Sequence, residues 1–278
     1  MVRANLVPVK NGWGWIKQGM LLFGKEPMLW LAMAFVYLSM AILLSLIPFI
    51  GWLILVLITP LCMLGALPLA QARDGLGLPA DTVPPLDTPA SRPWLHYLRD
   101  LLTRAARRLF SGFREKDRLL PIMVISTLLL GGVVVIKILA QLLKIGGATL
   151  PAILAGSVGP SVWITALIGL VVVLSLEALL LMAFLYTVPL ILFRREHPLP
   201  SIELSFGGTL NSLGAFAIFI GVFAAAGETV RVLFLLLRFP FDYLAVFFAG
   251  LLLLPVFIAG LYASYRDLFT QPPVTTHD

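Results

Sequence analysis

Of the chain's 278 residues, 60% are hydrophobic and only 12% are charged, against roughly 25% charged in soluble domains. One water-surrounded core could not hide so much apolar surface, which excludes a soluble fold. The formal charge of +6 would suit nucleic acid in a soluble domain, but here the basic residues flank apolar runs, a pattern of membrane orientation and anionic lipid contact rather than nucleic-acid binding.

Residues 1–27 read as an N-terminal segment at the membrane surface. Within it Lys10 to Glu26 (KNGWGWIKQGMLLFGKE) mixes Trp13, Trp15, Ile16, Met20 and Phe23 with Lys10, Lys17 and Lys25. Indole rings prefer the headgroup level, so a short helix lying on the membrane is expected. The first span is predicted from Met28 to Ile47. It starts late and runs into a second span without a clear small-x-small cleavage site, so a retained helix is expected rather than a cleaved signal. Pro48 to Gly51 makes a chargeless turn, and a second span from Trp52 to Ala70 completes an antiparallel hairpin over 28–70.

Residues 71–118 follow as one loop. Its first part, 74–93, holds five prolines and reads as an extended linker. From Trp94 to Arg118 the periodicity is helical. At about 100° per residue, Trp94, Leu95, Leu98, Leu101, Leu102, Ala105, Leu109 and Phe113 share an apolar arc. Arg99, Arg104, Arg107 and Arg114 lie opposite, with Arg108 at the edge. Such a basic amphipathic helix either packs on the protein's own loops or lies in the interface, its arginines over anionic phospholipid.

The second hairpin is expected over 119–193. Its first span runs from Leu119 to Leu139, with Lys137 near the far end, and a glycine-rich loop follows from Gln141 to Pro160. The fourth span lies within Ser161 to Phe193, whose 33 residues exceed one crossing. It must tilt, kink at Pro189 or continue beyond the bilayer. A loop over 194–211 contains a second short interfacial candidate, Pro198 to Asn211. The third hairpin, 212–265, pairs Ser212–Leu237 with Leu244–Tyr262 through a turn at Arg238–Tyr243, and 266–278 reads as a polar tail.

The expected fold is therefore all-α and polytopic: about six transmembrane helices as three hairpins, plus interfacial amphipathic helices. With six spans, 16 of the 20 Lys and Arg fall on the side of the two termini and 4 on the other. Cytoplasmic loops are enriched in Lys and Arg, so both termini are expected in the cytoplasm. A faint repeat accompanies this layout. Pro60 and Gly65 have the spacing of Pro255 and Gly260, and each pair is followed by an Arg-Asp step, Arg73-Asp74 and Arg266-Asp267. Pro189 with Arg194-Arg195 ends the fourth span similarly. Three copies of surface helix plus hairpin, all starting from the same side, would form a parallel repeat.

Few polar residues interrupt the spans. Glu177 sits inside the longest apolar run, where an ionised carboxylate is costly, so it should be protonated, paired or beside a wet cavity. Either helix packing or a substrate, proton or ion site accounts for it, with Lys137 as its partner if the third and fourth helices pack together. Glu228 and Arg231, three apart, can pair on one helix face; Arg238 and Asp242 can pair at the outer turn. His96, His197 and His277 lack ligand-like spacing, and Cys62 is the only cysteine, so neither a disulfide nor a metal centre is expected. No catalytic or phosphate-binding motif is present, so no enzyme activity and no cofactor are predicted.

Four segments carry a resemblance: Gly12–Leu31 (GWGWIKQGMLLFGKEPMLWL), Ser45–Gly51 (SLIPFIG), Thr187–Phe193 (TVPLILF) with Ser205–Asn211, and Tyr262–Phe269 (YASYRDLF). Through them the chain resembles an uncharacterised family of six-helix proteobacterial inner-membrane proteins of Burkholderia type, although its 74–93 linker is longer than is usual there. The resemblance implies a Gram-negative cell inner (cytoplasmic) membrane and transfers no activity or site residues. Two function classes are expected. One is a non-enzymatic protein organising lipid or a membrane-protein partner through its surface helices. The other is a small-solute transporter or carrier using Glu177.

Overall fold

The computed structural model describes residues 4–74, 94–142, 160–237 and 242–270. Its elements are α1 (Asn11–Lys25), α2 (Pro27–Ser45), α3 (Ile50–Asp74), α4 (Trp94–Leu109), a 3₁₀ turn (Phe110–Arg114), α5 (Lys116–Leu142), α6 (Pro160–Phe184), α7 (Thr187–Arg194), α8 (Pro198–Asn211), α9 (Leu213–Leu236) and α10 (Asp242–Phe269). Among the described residues there is no strand, and six stretches are long and apolar enough to cross a membrane. They are α2, α3, α5, α6 with α7, α9 and α10. The chain is an all-α, multi-pass membrane protein.

Local chemistry explains the boundaries. Pro27 opens α2, where its missing N–H is not needed. The α2–α3 turn is tight enough that Phe49 takes a positive φ of 60°. At Gly51 a side chain would collide with the Leu44 carbonyl. α7 stops at Arg195, which adopts the left-handed conformation (φ 57°) and returns its N–H to the Ile191 carbonyl at 3.2 Å.

The three hairpins are α2/α3, α5/α6 and α9/α10, and a short helix precedes each: α1, α4 and α8. Each short helix packs on the hairpin of another unit, in cyclic order. α4 lies on α2 and α3, α8 on α5 and α6, and α1 on α9 and α10. Between units, α3 packs on α5 and α10 packs on α2. The third junction, α6 with α9, is not packed in this way among the described residues. Among the described residues the three units thus pack closely at two junctions and not at the third.

The Pro-Gly spacing marks equivalent contacts in two of the units. A Cβ on Gly19 of α1 would come within 2.6 Å of the Val256 carbonyl, and one on Gly112 within 2.6 Å of the Leu61 carbonyl. Val256 and Leu61 each follow the proline of their unit. Gly260 likewise faces the Trp15 carbonyl, and Gly65 faces the Arg108 and Leu109 carbonyls. Lipid tails give no hydrophobic drive to helix association, so close backbone approach over small residues supplies the van der Waals contact instead. In the third unit the corresponding short helix, α8, is docked by hydroxyls rather than glycines.

Several expectations need correction. The basic helix does not run through 94–118. It ends at Leu109, because Gly112 must turn in against Leu61 and Leu64, and α5 starts afresh at Lys116 rather than Leu119. α1 is not a helix merely resting on lipid: Trp15, Ile16 and Leu22 are buried, Trp15 completely. Of the alternatives for the fourth span the kink at Pro189 is the one seen, with the break at Leu185–Tyr186, where Pro189 offers no N–H to the Leu185 carbonyl and its ring crowds it. α3 extends past Ala70 to Asp74, and α10 past Tyr262 to Phe269, so 266–269 belongs to the bundle and not to a tail. The 74–93 linker beyond Asp74, the loop from 143 to 159, the turn at 238–241 and residues 271–278 lie outside the described residues.

Candidate functional site

A crevice of about 310 Å³ lies among α3, α5, α6, α7 and α10. Its walls come from α3 (Thr59, Met63), α5 (Ile125, Leu129, Val133), α6 (Leu180, Leu181, Phe184) and α10 (Phe257). Two charged residues line it, Lys137 of α5 and Glu177 of α6. α5 and α6 do pack together, with Leu180 seated against Gly132. Counting outward from that contact brings Lys137 and Glu177 to similar height, roughly 5–8 Å beyond it at the rise of an α-helix. Among the described residues the two form no ion pair with each other or with any other group. Glu177 is not wedged between helices; it is exposed at the side of α6.

A second, wholly apolar cavity of about 120 Å³ lies between α2, α3 and α10. It shares Thr59, Met63 and Phe257 with the crevice. Thr59 donates its hydroxyl to the Leu55 carbonyl at 2.7 Å, so the 2.9 Å contact between Tyr37 and Thr59 has Tyr37 as donor. Both hydroxyls are therefore satisfied inside the wall, and neither is aimed at a ligand.

The opposite, terminal side of the bundle carries a charged rim. Arg73 pairs with Glu26, and Lys25 donates to the Arg73 carbonyl. Arg266 bonds Asp74 at 2.6 Å and Gln18 at 2.8 Å. The Trp15 indole donates to Asp267 at 2.9 Å. These contacts tie the end of α10 to α1 and to the end of α3, so the rim binds the third unit to the first. Arg108 of α4 approaches the same rim. Burial pushes its guanidinium pKa down from the ordinary value, the Glu26 carboxylate opposes that, and Arg73 adds to it.

α4 is divided along its length. Leu101, Ala105 and Leu109 are buried against α2 and α3, whereas Trp94, Leu95 and Leu98, on the same apolar stripe, are exposed. Arg99, Arg104, Arg107 and Arg114 are exposed and Arg108 is half-buried. Of the five arginines read as lipid contacts, four face outward and Arg108 faces the protein.

Glu228 and Arg231 do approach each other, at 3.7 Å, but on the exposed surface of α9, away from the crevice. His96 and His197 are exposed and far apart in the chain, and His277 and Arg238 lie outside the described residues. Among the described residues no group of His, Cys, Asp and Glu could hold a metal.

The chain matches no protein-family model, no curated protein and no solved structure. What the site can do follows from its chemistry. A crevice with mostly apolar walls accepts hydrocarbon, and two opposite charges at one level of its wall can hold a polar group carrying both signs.

Sequence reasoning missed the residues that shape this site from behind. The Ser205 hydroxyl of α8 is buried beside the α6–α7 break, where it donates to the Met182 carbonyl at 2.8 Å and accepts from Tyr186 N–H at 3.1 Å. Thr209 also turns toward Met182. The signal was a stripe of Ser201, Ser205, Gly208, Thr209 and Ser212 at helical spacing. All five are buried, while Leu199 and Leu210 of α8 are exposed. In lipid that inverted pattern marks the packed face.

Proposed function

We propose that this is a non-enzymatic integral protein of the cell inner membrane, with both termini cytoplasmic, that organises lipid through its surface helices and offers the same face to a membrane-protein partner. The division of α4 carries this reading. Half of its apolar stripe anchors it on α2 and α3, and the overhanging half, Trp94, Leu95 and Leu98, is free to enter the interface. Exposed Arg99, Arg104, Arg107 and Arg114 then lie at headgroup level, where anionic phospholipid is attracted by about 1 kcal/mol per basic residue. The excess of basic residues on this side supports the cytoplasmic orientation, and the resemblance to six-helix proteobacterial proteins supports the inner membrane.

The test is the full-length protein with Arg99, Arg104 and Arg107 changed together to Glu. Anionic phospholipid retained through purification should fall by roughly tenfold or more, given about 1 kcal/mol per charge. Unchanged retention would remove the reading. A reporter fused to the C-terminus should be active on the cytoplasmic side.

A carrier of a small solute working through Glu177 is the second reading, supported by Glu177 and Lys137 lining one crevice. It predicts that Glu177→Gln abolishes flux without lowering expression. The mostly apolar walls favour hydrocarbon over a hydrophilic solute.

A further inference from the structure

We propose that the crevice is a site for one zwitterionic phospholipid of the leaflet remote from the termini, bearing a phosphate beside a primary ammonium. Its headgroup lies between Lys137 and Glu177, and one acyl chain runs down the wall toward Phe257. The proposal rests on the lipid-organising reading but uses a different surface, in the other leaflet, from α4.

Lys137 stands roughly 28 Å along α5 from Arg118, and the hydrocarbon core is about 30 Å thick. Arg118, paired with Glu115 at 2.7 Å, marks the terminal side, so Lys137 lies deep in the far leaflet, while the apolar start of α6, from Leu167, continues roughly 15 Å past Glu177. Glu177 follows at nearly the same height, since Leu180 is held against Gly132. Among the described residues α6 and α9 do not pack as the helices at the other two junctions do, which leaves a lateral route for a lipid between them. A crevice of about 310 Å³ is at the lower end of ligand sites, roughly 300–1,000 Å³, and suits one chain rather than a whole lipid.

Charge selects the headgroup. Lys137 and Glu177 line the crevice without pairing, although opposite charges deep in a leaflet gain strongly from neutralisation. A lipid phosphate accepts from the Lys137 ammonium, and a lipid ammonium donates to the Glu177 carboxylate, so both charges are matched with no net charge brought in. A glycerol headgroup would leave Glu177 unmatched beside another anion. A trimethylated ammonium has no N–H to donate.

Native mass spectrometry of the full-length protein tests this, in mild detergent with equal phosphatidylethanolamine, phosphatidylcholine and phosphatidylglycerol of matched chains. One phosphatidylethanolamine should be retained in preference to the other two. Lys137→Gln and Glu177→Gln should each lower that retention by roughly tenfold, the effect of one lost charge-assisted hydrogen bond, and Leu181→Trp should lower it by filling the crevice. The triple Arg→Glu variant of α4 should keep it while losing anionic lipid, which separates the two readings. Should Glu177→Gln fail to fold, Lys137→Gln on the opposite wall carries the same test. Equal retention of phosphatidylcholine, preference for phosphatidylglycerol, or variants that bind like the parent would each overturn the proposal.

Discussion

The Ser205 hydroxyl replaces a backbone hydrogen bond of the fourth span: it accepts from Tyr186 N–H at 3.1 Å and donates to the Met182 carbonyl at 2.8 Å. In an unbroken helix those two backbone groups would bond to each other. The helix opens there because Pro189 lacks an N–H for the Leu185 carbonyl and its ring displaces it. Ladder bonds resume on both sides, Leu185 N to Leu181 O at 2.9 Å and Leu190 N to Tyr186 O at 2.9 Å. A hydroxyl from a neighbouring helix thus fills a gap that hydrocarbon could not solvate.

Ser205→Ala should therefore destabilise the protein by about 1–3 kcal/mol, the cost of a buried backbone donor left unpaired. Thermal unfolding in detergent or nanodiscs measures it. Ser175→Ala removes a hydroxyl that bonds only its own helix on an exposed face, and should fall within about 0.5 kcal/mol of the parent. Equal effects at the two sites would mean that the bridge carries no stability.

The spans were legible because runs of apolar residues long enough to cross a bilayer have few other destinations. Their faces were not. Every side of α6 is apolar, so nothing in the pattern says which way Glu177 points, and only packing with α5 turns it toward the crevice. The excess length of the fourth span was visible, but the proline acts on the carbonyl four residues earlier, which displaces the break from Pro189. Trp15 sits among lysines, as an interfacial indole would, yet Asp267 from the far end of the chain draws it into the core. The Pro-Gly spacing was the better clue. It recurs because Gly65 and Gly260 each admit the backbone of a short helix.

That equivalence predicts paired behaviour. Gly19→Ala and Gly112→Ala each put a methyl 2.6 Å from a carbonyl oxygen, of Val256 and Leu61 respectively. Neither backbone can retreat without separating two helices, so each should lose about 1–3 kcal/mol through overpacking. Gly131, with nothing within 4 Å, should tolerate alanine and gain up to about 1 kcal/mol from helix propensity. Folded yield and melting temperature across the three variants decide the matter. A neutral result at Gly19 with a loss at Gly112 would show that the units are not held alike.

Trp15→Phe keeps a large buried ring and deletes only the indole donor to Asp267. A hydrogen bond to a carboxylate is worth about 1.5–3 kcal/mol, and the loss should be of that size. Trp13, on the same helix and about half exposed, should accept phenylalanine within about 0.5 kcal/mol. Matching losses at the two tryptophans would assign the effect to ring size instead.

The Asp74–Arg266 pair should couple the first and third units measurably. It bridges the ends of α3 and α10 at 2.6 Å with both side chains largely covered, at 15% and 20% exposure. Salt screens such a pair less than one on the open surface. In a double-mutant cycle of Asp74→Asn and Arg266→Gln, the coupling should lie between about 0.5 and 3 kcal/mol. The single losses should be unequal. Asp74→Asn leaves Arg266 with Gln18 at 2.8 Å and Asp267 at 3.8 Å, whereas Arg266→Gln strips the cation from all three contacts. Arg266→Gln should therefore cost more than Asp74→Asn, and the difference should persist at high salt. Additive losses, or equal ones, would mean that the rim decorates the bundle without joining its units.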